Sequence, residues 1–364
     1  MRTSVYRFFT TDPADVSGLA RAIAEGTIDP RSIVAIIGKT EGNGGMNDFT
    51  RALAMMAVSQ VLATHLDCSP ELVEERVVLS FSGGSEGVAA PHILVFAVSG
   101  RAAEQAYPIK RLALASAHTR PFSAQEVGRM AMVRETARAV TWLMHTLQVE
   151  PEDVHLVQIK GAIPALDSTT TENVRAEHLR CDMAWSRGAS ALGVALALGE
   201  VAESELSDDA INRDWSLYSS RASVSAKPLL QRSEMVLFAN SCWWDGDLVI
   251  AHGVMQDIID VPAIHAVLNQ LGLQPVNGQL ATADAEKVLA VFAKSDADPR
   301  GHIRHRRHTM WTDADISDMR YSRCVVSALL AGVTGETGVY VSTRAEHQGP
   351  QGGGPVAVIG YASS

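Results

Sequence analysis

Continuous apolar runs mark the strands of this chain. Val34-Ala35-Ile36-Ile37-Gly38, Val154-His155-Leu156-Val157-Gln158-Ile159 and Val288-Leu289-Ala290-Val291-Phe292-Ala293 each read as a strand, and each delivers a lysine: Lys39, Lys160 and Lys294. Small-residue helical segments follow, opened by Arg51-Ala52-Leu53-Ala54, Arg187-Gly188-Ala189-Ser190 and Arg323-Cys324-Val325-Val326. Asn47 or Asp48 is an expected N-cap for the first of them. A serine then stands in a short polar loop, in Ser82-Gly83-Gly84-Ser85, Ser223-Val224-Ser225-Ala226 and Ser342-Thr343-Arg344-Ala345. Strands read from Val77 to Leu79, Ile93 to Ala97, Met235 to Ala239 and Val356 to Ile359 complete the pattern.

The order strand, loop, helix, strand, loop, strand thus occurs three times. The spacing from serine to following strand sets the register: Ser82 to Val95 and Ser223 to Val236 are both 13 residues, and Ser342 to Val356 is 14. Ser219, Ser220 and Ser225 compete with Ser223, and only this alignment separates them. With boundaries in Ala102 to Lys110 and near Ser241 to Gly246, the expected units are 1–103, 104–244 and 245–364, an α/β chain of three similar parts. A length of 364 residues agrees, being beyond what one core usually supports.

Composition narrows the function. The net charge of −10 argues against a nucleic-acid or anionic-membrane surface, so any anion site is local. No apolar run approaches membrane-spanning length, and the N-terminus reaches Asp12 and Asp15 without a secretory stretch. The scattered cysteines Cys68, Cys181, Cys242 and Cys324 lack zinc-ligand spacing and suit a reduced cytoplasm.

Several motifs fail on inspection. Gly38-Lys39-Thr40 has Ile33 where a phosphate loop needs glycine, and Glu41-Gly42-Asn43-Gly44-Gly45 lacks the last glycine of a dinucleotide fingerprint. A classical serine triad is not expected, because the histidines do not recur with the repeats. His302, His305 and His308 lie in an Arg-rich segment and read as surface or interface residues rather than metal ligands. The repeated lysines, arginines and serines remain. A lysine beside other cations in a partly desolvated site loses its proton more readily and can serve as base toward a serine hydroxyl. An arginine at a helix start opposes the macrodipole at about 0.3–1 kcal/mol, which points to an anionic or carbonyl-rich ligand. Loop amides beside the serines are candidate oxyanion donors. Ala345-Glu346-His347-Gln348-Gly349-Pro350-Gln351-Gly352-Gly353 can aim backbone carbonyls at a hard cation, with Asp296 completing the set.

At these residues the chain resembles the ring-opening amidohydrolases, the family of cyanuric acid hydrolase and barbiturase. The resemblance rests on Gly38-Lys39-Thr40-Glu41-Gly42-Asn43-Gly44, Ser82-Gly83-Gly84-Ser85-Glu86-Gly87-Val88, Ser186-Arg187-Gly188-Ala189-Ser190-Ala191-Leu192-Gly193, Tyr321-Ser322-Arg323 and Ala345-Glu346-His347-Gln348-Gly349-Pro350. It implies three domains around a pseudo-threefold axis, Ser-Lys dyads at that axis, and hydrolysis of a small cyclic imide. Catalysis falls to Lys160 and Ser223, with Lys39 and Lys294 in supporting dyads. Substrate contacts fall to Arg51, Ser82, Gly83, Arg187, Ser223, Val224, Arg323, Ser342 and Thr343. No catalytic cofactor is implied. A structural magnesium (or calcium) is, held by Asp296, Ala345, Gln348, Gly349, Pro350 and Gly353, with Asp296 where many relatives carry glutamate. A homotetramer is implied as well. Barbiturase is the alternative activity, with Met319 and Arg320 the expected discriminating region; a non-catalytic imide binder is the alternative from another class.

Overall fold

The computed structural model describes residues 1–166 and 179–362. The first unit runs β1 (Arg2–Phe9), α1 (Ser17–Ala24), β2 (Ile33–Thr40), α2 (Thr50–Leu66), α3 (Pro70–Arg76), β3 (Val78–Gly83) and β4 (His92–Ser99). The second runs β5 (Arg111–His118), α4 (Met130–Leu147), β6 (Val154–Ile163), α5 (Met183–Ala197), β7 (Ala222–Pro228) and β8 (Glu234–Ser241). The third runs β9 (Leu248–Met255), α6 (Val261–Gln270), α7 (Thr282–Ala285), β10 (Val288–Ser295), β11 (His302–Ile303), β12 (Arg306–Arg307), α8 (Asp318–Thr334), β13 (Val339–Thr343) and β14 (Gly354–Tyr361).

Each unit builds one four-stranded sheet of the same topology: β1-β4-β2-β3, β5-β8-β6-β7 and β9-β14-β10-β13. The lysine strand pairs parallel with the serine strand on one side and antiparallel with the last strand on the other. Even an irregularity repeats, one residue skipped between Ile33 and Ala35, Val154 and Leu156, and Val288 and Ala290.

The apolar runs are continuous because both faces of each sheet are covered. Outer faces pack on helices, as where Val58 and Leu62 of α2 meet Ile36, Leu79 and Val95. Inner faces meet in one central core that draws on all three units. Phe96, Phe238 and Phe292, one from each unit, form its triangle, with ring centroids 5.0, 6.0 and 6.4 Å apart. The architecture is three similar α/β domains around a pseudo-threefold axis. The axis runs through this core, and the serine strands β3, β7 and β13 form the free edges of their sheets.

The helix starts differ from expectation. The first begins at Thr50, whose N–H is taken by Asp48 Oδ1 at 3.1 Å. Arg51 therefore lies in a first turn, but Arg187 and Arg323 do not: α5 and α8 are capped by Asp182 and Ser317, which places both arginines one turn farther in. The dipole argument applies only to Arg51. The cost carried by Arg187 and Arg323 is burial, and carboxylates offset it.

Candidate active site

Parallel register places each lysine beside one serine: Lys39 pairs with Ser82, Lys160 with Ser225, and Lys294 with Ser342. Lys160 therefore faces Ser225, whereas Ser223 pairs with Gln158, two residues deeper on the same face of β7. A second observation agrees. Every lysine also reaches into a neighbouring unit, to the carbonyl just before that unit's serine: Lys39 Nζ to Val341 O (2.5 Å), Lys160 Nζ to Phe81 O (2.5 Å), Lys294 Nζ to Val224 O (2.9 Å). Both the register and this cyclic contact make Ser82, Ser225 and Ser342 equivalent.

The three lysines are not equivalent in their remaining bonds. Lys39 donates to Gly83 O at 2.9 Å and Lys294 to Thr343 O at 3.0 Å, in each case the carbonyl following its own serine. Lys160 has exchanged that carbonyl for the hydroxyl, donating to Ser225 Oγ at 2.6 Å, while Lys294 keeps a longer contact of 3.2 Å to Ser342 Oγ. All three are buried. Burial drives the Lys160 amine well below its ordinary range, and Arg51, Lys227 and Lys294 reinforce the shift against Glu234. Lys39 is lowered likewise by burial and by Arg323, and Lys294 falls to about 7 through burial and Arg187.

One cavity of about 380 Å³ is lined by Ser82, Ser225, Ser342, Arg51, Arg187 and Arg323, with Gly83, Thr343 and Met319 on its wall. Arg187 is held by Glu346 through two bonds of 2.7 Å, and Arg323 by Glu86 through two of 2.6 Å. Arg323 lies against Gly84, where a Cβ would come within 2.4 Å of the guanidinium carbon and φ is +90°. Arg51 has no such partner: it bonds to Gly45 O and lies 3.7 Å from Asp48, whose carboxylate is occupied by Gly44 N–H and by Thr50.

The sequence-derived pair Ser223 and Val224 sits beneath this cavity. Ser223 Oγ is buried without a hydrogen-bond partner. Val224 is fully buried, its carbonyl taken by Lys294 and its N–H by Gln348 Oε1 at 2.6 Å. Tyr340, invisible to the motif search, lies buried behind the serines. Its hydroxyl accepts from Gln158 Nε2 at 3.3 Å and interacts with the Ser80, Ser82 and Ser225 hydroxyls, while burial raises it to about 12. Its place two residues before Ser342, with Ser80 and Ser223 in the corresponding positions, is the signal that would have found it. Met319 lines the cavity and Arg320 pairs with Glu86 at 3.4 Å. His302, His305 and His308 belong to the β11–β12 hairpin segment, away from the site.

The segment from Ala345 to Gly353 crosses to the second unit rather than staying within the third. Ser219 N–H donates to His347 O at 2.9 Å, Gly349 N–H reaches Ser219 O at 3.0 Å, and Gln348 holds Val224. His347 Nε2 accepts the N–H of Asn212, which fixes Nδ1 as the donor to Leu217 O. Asp296 Oδ1 is buried with no hydrogen-bond partner, and its carboxyl is pushed up to about 7 by burial, Glu346 and Asp318, with Arg344 opposing. With only Arg344 Nη1, 4.0 Å away, as ion-pair partner and other acids nearby, this carboxylate fits a hard cation. No trio of His, Cys, Asp or Glu side chains is gathered for a metal among the described residues, so Pro350, Gly353 and their neighbours would have to supply carbonyls.

Similarity to known proteins identifies the family. The family model described as amidohydrolase ring-opening protein matches residues 4–361. The chain is 45% identical to a cyanuric acid amidohydrolase of Enterobacter cloacae over 370 residues, covering 99% of both, and 42% identical to a cyclic amide hydrolase of Azorhizobium caulinodans over 369 residues, again 99% of both. A solved cyanuric acid hydrolase superposes with a TM-score of 0.90 at 42% identity, covering 99% of each chain. A second, from A. caulinodans, gives 0.86 at 43% identity, covering 100% of this chain and 99% of its own. The chain belongs to the ring-opening amidohydrolase family and is a hydrolase acting on cyclic amides.

Proposed function

We propose that the protein hydrolyses cyanuric acid by opening its ring at Ser225, with Lys160 as the base. The observation that carries this reading is the exchange at Lys160, the one lysine of the three that bonds its own serine hydroxyl, at 2.6 Å, in place of the carbonyl that follows that serine. Three serines and three arginines around one cavity match a ring with three carbonyls and three N–H groups. Equal contacts to all three carbonyls tighten binding only; acceleration needs one position to gain contacts as the tetrahedral oxyanion forms.

Neutral Lys160 takes the Ser225 proton as Oγ attacks a ring carbonyl. The C–N bond breaks, Lys160 protonates the leaving nitrogen, and the opened ring remains an acyl ester on Ser225. Water then attacks the ester carbon and gives its proton to Lys160, which returns one to Ser225 Oγ. Carboxybiuret leaves, and loses carbon dioxide to give biuret. For the oxyanion we assign the N–H of Ala226. Val224 turns both its backbone groups away from β6, and alternation along the strand points Ala226 to the same open edge.

The cation expected in the third unit would be held by Asp296 with the carbonyls of Ala345, Gln348, Gly349, Pro350 and Gly353, and would supply charge balance. Gln348 would carry that order to β7 through Val224. The assay is loss of ring absorbance with cyanuric and barbituric acids offered separately, followed by mass spectrometry of the acid-quenched enzyme. Consumption of cyanuric acid with the acyl group on Ser225 is expected. An adduct on Ser82 or Ser342, or consumption of barbituric acid alone, overturns the assignment.

A further inference from the structure

At two of the three interfaces between units, the space between the arginine-bearing helix and the chain beyond the next serine is filled by an ion pair, Arg323 with Glu86 and Arg187 with Glu346. Both glutamates lie four residues past a serine, brought back by a residue of positive φ two past it: Gly84 at +90° and Arg344 at +63°. The second unit departs from this. Strand β7 continues to Pro228, and the fourth position is Leu229, 75% exposed. Among the described residues no carboxylate reaches Arg51 from that side, and a separate cavity of about 310 Å³ opens there, lined by Arg51, Ala52, Met56, Phe81, Lys160 and Lys227.

The catalytic pair straddles two cavities. Ser225 lines the three-serine cavity and Lys160 lines this second one, with Arg51 on the wall of both. Ring opening makes that division useful. When a linear amide is cleaved, the amine departs and leaves its place to water. In a ring the nitrogen stays tethered to the acyl group, occupies the substrate cavity and is poised to close the ring again. The water that cleaves the ester needs another approach, ending beside the base.

We propose that the second cavity is the water entrance for deacylation, open at this interface because Leu229 stands where the other units carry glutamate. This rests on the Ser225–Lys160 reading above. The ester carbon gains the water oxygen and loses Ser225 Oγ, and Lys160 carries the proton from the water to Oγ, so no further reactant is required.

The test places bulk at the mouth of this cavity, with Ala52→Phe and, separately, Met56→Trp. Ala52 is exposed and Met56 is 68% exposed, so both variants fold without disturbing the core. With deacylation slowed, kcat and KM for cyanuric acid fall together, by about tenfold, while kcat/KM holds and the acyl-enzyme accumulates in quenched samples. A loss of packing alone would not produce that parallel fall. Unchanged kcat in both variants, or a drop in kcat/KM without accumulated acyl-enzyme, overturns the proposal. Failure of the underlying assignment is read separately, from which residue carries the acyl group in the unsubstituted enzyme.

Discussion

Removing the Ser223 hydroxyl should improve the protein. Its Oγ is buried without a partner, so folding strips it of water and returns nothing. An unsatisfied buried hydroxyl costs about 1–3 kcal/mol. Ser223→Ala removes that cost and forfeits the dispersion contacts of one oxygen, each about 0.1–0.2 kcal/mol. The net is a gain of about 0.5–2 kcal/mol, which at this chain length is a rise in Tm of about 1–3 °C. Turnover should stay within about twofold of the parent, because Lys160 bonds to Ser225. Ser225→Ala should instead lower kcat at least about 10³-fold, as removing a nucleophile does, with little change in Tm. Scanning calorimetry and steady-state kinetics on the two variants decide the matter. An inactive Ser223→Ala beside an active Ser225→Ala would return the nucleophile to Ser223 and refute the register argument.

The charged groups give further expectations. Because burial and Arg51 depress the Lys160 amine, the neutral base fills as pH rises and kcat/KM should climb on the acidic limb; Lys160→Arg, always charged, should be inactive across the profile, and activity there would reduce Lys160 to an electrostatic role. In the unfolded chain Lys160 holds its proton up to its ordinary value of 10.5, so between the depressed and ordinary values the unfolded state binds more protons and stability rises with pH. Lys160→Met should be more stable than the parent at neutral pH, with an advantage that shrinks toward pH 10.5; urea titrations at several pH values measure it. Glu86→Gln leaves the buried Arg323 guanidinium without its counter-charge and should cost about 3–5 kcal/mol, seen as a lower urea midpoint. Magnesium or calcium should raise Tm of the parent and leave Asp296→Asn unmoved; an equal rise in both would place the ion elsewhere.

Strands were readable because burial on both faces leaves no ambiguity of pattern, and the lysines mark one point of each strand in sequence as in space. Ser223 was misplaced for a definite reason. The residues three before each lysine, Ile36, Val157 and Val291, pair with Val95, Leu237 and Val358. From Ser82, Ser225 and Ser342 those partners are 13, 12 and 16 residues away, so the loops between serine and last strand differ in length and equal spacing misleads. Ser223 and Ser225 share a face of the strand by its period of two, and only pairing with β6 tells them apart. The arginine partners were hidden for another reason: Glu86 and Glu346 come from the next unit in space, which no local pattern encodes.

A threefold site for a threefold ring carries a difficulty, since perfect symmetry would give three equal half-measures of catalysis. The departures all converge on one interface. Lys160 gives up a carbonyl for a hydroxyl, Arg51 lacks the bidentate carboxylate that Arg187 and Arg323 possess, and β7 runs straight where its counterparts turn. Each has the same root, because a strand that does not turn back brings neither the glutamate nor the loop that would fill the space beside Lys160. With Glu86 and Glu346 each bonding an arginine twice, Arg51, 3.7 Å from Asp48, is the least tightly paired of the three arginines, and it shares a cavity with Ser225, where the proposed reaction develops negative charge. On the proposed reading, the two paired arginines hold the ring in place and the third is left to respond to the reaction.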